Sequence, residues 1–236
     1  MSSEEAFVNA HSRMLASVLT WPIEKSKLVY QGGGQIHQVM PKITLVQHAT
    51  GMLSSGLQRG GSAFLMFYLQ SHIYQTTKGR TSSHVTDQAL AGALSGALGA
   101  PFHTFWELIK VRGAIMPCRG SYTTCLTPMI YRHAIFDATF FGVHSSLEGT
   151  PSSGVRFAAA AAVSSFTNLV WDVWKTRQMQ DYPVRISLRG VVVTMRWRSF
   201  LSNYMVKGTD LTANWFMVGC VKDLLFPNKE LMAVDE

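Results

Sequence analysis

Three times along the chain an acid stands three residues ahead of a lysine inside a stretch that is otherwise apolar and bulky. The pairs are Glu24 with Lys27 in WPIEKSKLVYQ, Glu107 with Lys110 in FWELIKVRGAI, and Asp172 with Lys175 in VWDVWKTRQMQ. Positions three apart share one face of a helix, so each pair forms a single charged patch. One such pair on a solvated helix contributes only about 0.3 to 0.5 kcal/mol and says little. Three of them, flanked by residues such as Trp106, Trp171 and Trp174, constrain the fold much more, because a poorly solvated charge costs several kcal/mol unless it is paired. A ring in which each lysine meets the acid of the next helix pairs every group, and it requires three helices to converge. The spacing divides the chain into three repeats, 1–80, 81–150 and 151–236, within a single domain.

Charged residues make up 15% of the chain and hydrophobic ones 47%, against about 25% charged in an ordinary soluble domain. That balance leans towards a membrane, yet no segment offers 18 to 20 uninterrupted apolar residues. The expected helices are therefore apolar on one side only, packed around a polar interior where buried charges face one another. The formal charge of +7 suits anionic lipid or a basic cavity. Nucleic acid is excluded as a partner, since the basic residues are scattered and no zinc-finger spacing, RNA-binding aromatic motif or basic run is present. Cys118, Cys125 and Cys220 are odd in number and show no Cys-x-x-Cys spacing, and the histidines form no ligand set, so neither a disulfide framework nor a metal site is expected. No phosphate-cradling, dinucleotide-binding or nucleophile-elbow motif appears, QGGGQ at 31–35 reads as a loop, and no enzyme is expected. MSSEEAFVNA is neither a secretory signal nor an Arg-rich transit peptide.

The pattern Pro-x-Asp/Glu-x-x-Lys/Arg, three times in one chain, resembles the signature of the mitochondrial carrier family. Pro22, Glu24 and Lys27 match it in full, and Gln31 matches the glutamine that braces the ring in that family. The resemblance implies an all-α membrane protein of six transmembrane helices with threefold pseudosymmetry, multi-pass in the mitochondrial inner membrane. Phe105 and Val170 stand where the second and third repeats of a carrier have proline. Proline breaks a helix hydrogen bond and bends the helix at Pro22, so the other two helices are expected to run straighter or to bend by other means. Gly92 and Gly96 in AGALSGALGA are spaced as carriers space them, a pattern that lets helices approach closely.

Second spans are expected over 61–79, 129–148 and 205–226. By the family's register Ser17, Arg132 and Lys207 fall at possible substrate contacts, where two cations in a low-dielectric cavity favour a small anionic solute. The alternative is that Arg132 and Lys207 reach out to a lipid headgroup or a neighbouring protein. Tyr74, Gln75 and Lys78 resemble a remnant of the family's second gate. Gln58-Arg59-Gly60 resembles a turn that holds cardiolipin in carriers, with Arg59 and Gly60 as its possible lipid-binding residues and cardiolipin the only bound cofactor-like molecule implied. One gate kept and the other eroded points to a carrier-like chain recruited as a structural accessory subunit of a respiratory-chain complex, such as cytochrome c oxidase or a supercomplex. Its partners would be membrane lipids and neighbouring subunits. The alternative is a working transporter that exchanges a small anion by alternating access.

Overall fold

A computed structural model describes residues 3–31, 44–114, 121–150, 152–180, 187–194 and 197–225. These residues form nine helices: α1 (Ser3–Leu19), α2 (Trp21–Gln31), α3 (Leu45–Thr77), α4 (His84–Ala114), α5 (Tyr122–Ser146), α6 (Ser153–Thr167), α7 (Leu169–Gln180), α8 (Leu188–Thr194) and α9 (Trp197–Leu225). The longer helices pack side by side in a closed ring, α1 on α3, α3 on α4, α4 on α5, α5 on α6, α6 on α9, and α9 back on α1. Helices α2 and α7 extend α1 and α6 beneath that ring.

The all-helical expectation holds, but the six-span carrier fold does not: among the described residues no helix is long and apolar enough to cross a membrane. The inner faces are the physical reason. Along α3, Ser55, Gln58, Arg59 and Ser62 are all buried, following the three-to-four-residue spacing of a single helix face, and they dilute the apolar content of the whole rod. Outward, the same rods are apolar. On α4 the exposed positions between 90 and 109 are Leu90, Leu94, Leu98, Pro101, Phe102, Phe105 and Ile109, a stripe about 28 Å long at 1.5 Å per residue.

The three repeats are unequal. The first helix of repeat 1 breaks at Thr20, whose hydroxyl and amide both turn back to the Ala16 carbonyl, and Pro22 follows directly, placed where its missing N–H costs least. Repeat 3 breaks at the equivalent Asn168 without a proline; its amide N–H caps Ser164. Repeat 2 does not break: α4 runs through Phe105, with Pro101 inside it. Loss of the signature proline thus goes with an unbroken helix in one repeat and a break made by other means in another.

Glycine governs the closest helix contacts. A Cβ on Gly92 or Gly96 would strike the backbone carbonyls of Asp137 and His133 on α5, and one on Gly219 would strike the backbone of Gly154. On the other side, a Cβ at Gly60 would press on Met14 and the Ala10 carbonyl of α1. The apolar core is an aromatic stack in the middle of the ring. Phe140 lies against Trp215 with ring centroids 4.6 Å apart, and Phe157 and Phe67 flank Trp215 at 5.4 and 6.2 Å.

Candidate functional site: a buried charge network

The signature acids and lysines lie where the lower helices meet the ring, and nearly all their described side chains are sealed from solvent. Lys175 Nζ donates to Glu107 Oε1 at 2.7 Å, joining α7 to α4, the signature helix before it and not the next one of the expected ring. The other contacts also depart from that simple ring. Lys27 Nζ lies 3.1 Å from Asp210 Oδ2 on α9, and Glu24 Oε1 receives Arg59 Nη2 at 3.0 Å. Arg59 reaches Asp210 Oδ2 as well, at 3.2 Å, so a single guanidinium ties α3 to both α2 and α9. Ser55 donates to the remaining Glu24 oxygen, and Gln58 Nε2 donates to Glu107 Oε2 at 2.7 Å. Arg132 Nε lies 2.7 Å from Asp172 Oδ1, while Lys207 Nζ stands 3.9 Å from Oδ2 of the same carboxylate.

Burial alone would raise the Asp172 carboxyl; Lys207, Lys175, Arg132 and Lys27 together reverse this and hold it well below the usual carboxylate range. For Arg59 burial works against the charge, and Glu24 and Asp210 outweigh it, so the guanidinium is held more firmly protonated than in water. Lys207 has less compensation. Burial brings its ammonium down to about 7 in spite of Asp172, with Arg132, Lys27 and Lys175 adding repulsion, and its Nζ has no hydrogen-bond partner. Taking charges out of water costs several kcal/mol each, which close opposite charges offset only when the geometry is good. The network meets that condition at its short contacts and falls short of it at Lys207.

These contacts revise several sequence expectations. Arg132 and Lys207, expected at a solute or reaching outward, both turn onto Asp172 instead. Ser17, also a possible solute contact, is fully buried and donates to the Arg13 carbonyl at 2.6 Å. Asn214 packs against Ser17 and Thr20, and with its oxygen turned to them it also accepts from Arg59 Nη1 at 3.1 Å. Arg59 is enclosed by two carboxylates and is not presented to a lipid phosphate; its neighbour Gly60 serves the contact of α3 with α1. Lys110 and Gln31 lie on described helices, with side chains outside the described set.

The second-gate remnant does not gather into a gate. Gln75 and Lys78 are exposed, while the Tyr74 hydroxyl meets His84 Nδ1 at 2.8 Å and His84 Nε2 meets Glu148 Oε1 at 3.2 Å. These contacts tie the α3–α4 turn to the end of α5. Among the described residues no group of three or more His, Cys, Asp or Glu side chains could hold a metal ion.

Sequence reasoning missed Asp210, Asp137 and the inward role of Arg59. A signal for the two acids was present: Asp137 is a lone carboxylate in an apolar run with Arg132 five residues before it, and Asp210 has Lys207 three residues before it on one helix face, with nothing else acidic close by in the sequence. Compared with known proteins, the chain matches no family model and no curated sequence.

Proposed function

We propose that this protein is a structural subunit, a bundle fixed at its centre by paired charges that works by packing into a larger assembly. On the resemblance to carriers, the assembly would be a respiratory-chain complex of the mitochondrial inner membrane. The observation that carries the reading is the engagement of Arg132 on Asp172 at 2.7 Å, with Lys207 beside the same carboxylate and 0% exposed. Cations kept for a passing anion need an approach from solvent and no permanent counter-charge; here the counter-charge is internal. The aromatic stack of Phe140, Phe157 and Trp215 adds to this by filling the space inside the ring. Outside, the charge-free stripe on α4, with Leu98 64% and Phe105 54% exposed, is the kind of contiguous apolar surface that marks an interaction site.

Native electrophoresis of mitochondria expressing the tagged full chain tests the reading. Co-migration with a large respiratory complex, lost when Leu98 and Phe105 are both changed to Asp, is expected. A free monomer under mild extraction, or vesicle uptake of an anion that Arg132→Gln abolishes, would overturn it.

A further inference from the structure

Away from the paired network an acid and a base, Asp137 and Arg13, lie within electrostatic reach of each other with no hydrogen bond between them. Arg13 on α1 rests its guanidinium carbon 3.8 Å from the centroid of the Trp215 ring, and its Nε has no hydrogen-bond partner. Asp137 on α5 is buried at the tightest crossing of the bundle. Its Oδ2 also lacks a partner and faces Gly96 so closely that a Cβ there would come within 2.8 Å. A buried carboxylate left unbonded is expensive, while a neutral carboxylic acid in the same place costs much less. A guanidinium over an indole is a favourable resting place that competes with an ion pair.

We infer that Asp137 and Arg13 form a proton-operated switch: protonated Asp137 leaves Arg13 on Trp215, and ionised Asp137 draws Arg13 off the ring and ties α1 to α5. The surrounding charges fit a balanced pair. Arg13 is repelled by Arg59 of α3 and Arg132 of α5 and attracted by Asp210 of α9 as well as by Asp137. Asp137 faces Arg13 and, on its own helix, Arg132, while α4 offers it Gly92 and Gly96 and no charge. Burial lifts the Asp137 carboxyl to about 8 even though Arg13 and Arg132 pull it down, which places the transition just above neutral pH. Burial, with Arg59, lowers the Arg13 guanidinium as well, to about 9, so it keeps most of its charge through that transition. Neither state requires the charge network below to move, so the switch is compatible with a bundle fixed at its centre.

The test is fluorine NMR of the full chain carrying 5-fluorotryptophan, with the Trp215 resonance assigned from Trp215→Phe. Between about pH 6 and 8.5 that resonance should move with one midpoint at or below about 8, because pairing with Arg13 favours the ionised acid. The movement should vanish in Asp137→Asn, which keeps the shape of the acid without its charge, and in Arg13→Gln, which carries the test if the first variant folds poorly. A Trp215 signal that stays flat across the range, or that titrates in Asp137→Asn as in the natural chain, would overturn the switch.

Discussion

In the lower network each of Glu24, Asp210, Asp172 and Glu107 has a cation between 2.7 and 3.1 Å away. Nearer the aromatic stack stand a second acid and base, buried Asp137 and half-buried Arg13, yet an oxygen of one and a nitrogen of the other are unbonded. The two regions share the elements α5 and α9, and Asp137 is buried as deeply as the acids of the network, so burial alone does not decide how a carboxyl behaves. Geometry does. Where two helices hold an acid and a base at hydrogen-bond distance, desolvation is offset and the ions stay ions. Where an acid has no base at hydrogen-bond distance, as at Asp137, desolvation prevails and the carboxyl keeps its proton near neutral pH.

Breaking the paired region should have the largest effect. Arg59→Gln leaves Glu24 and Asp210 short of a shared cation, and the expected loss is about 3 to 5 kcal/mol in chemical denaturation, enough to leave little folded protein. The packing beneath the unpaired region comes next. Gly96→Ala would push a methyl group into the His133 carbonyl and the Asp137 carboxyl, so a loss of about 1 to 3 kcal/mol or more is expected from overpacking, with the same change at exposed Gly149 neutral as the control.

A pH series on Asp137 sharpens the comparison itself. Its folded value of about 8 lies above the ordinary carboxylate value of 3.8, so between those values the unfolded chain has released a proton that the folded chain keeps. Stability should therefore fall as pH rises through that window and level off above about 8. The slope contributed by this one group is at most about 1.4 kcal/mol per pH unit. Asp137→Asn should remove that decline; an unchanged slope of denaturation midpoint against pH would show that Asp137 is ionised throughout. Smallest of all, His84→Ala should cost no more than about 1 kcal/mol, because the His84–Glu148 contact is solvent-exposed and screened by salt. A loss much above that in thermal unfolding would mean the turn at Tyr74 holds the bundle more firmly than its exposure suggests.

The repeat of acid and lysine made helix convergence legible from sequence, because three charged pairs in apolar stretches leave few arrangements that avoid unpaired burial. Glu107 is paired as that reasoning requires, but by Lys175 of the repeat after it and not by the lysine of the repeat before. Arg59 was not legible, since a single Arg before Gly-Gly has no sequence mark that says which way its helix face turns; only the buried stripe Ser55, Gln58, Arg59 and Ser62 on α3 reveals it. Asp210 was passed over because attention went to Lys207, three residues before it, as a possible solute contact. The extent of the membrane reading was overestimated for a related reason. Low overall charge reported the apolar exterior correctly, while the polar inner faces keep every described helix short of the apolar length needed for a crossing.

The central claim, that this interior is fixed by desolvated ion pairs, is tested most directly by a double-mutant cycle on Lys175→Met and Glu107→Gln, read as unfolding free energy. A coupling energy of about 1.5 kcal/mol or more is expected, with the double variant more stable than either single one. A coupling near zero, as for two groups facing bulk water, would contradict it.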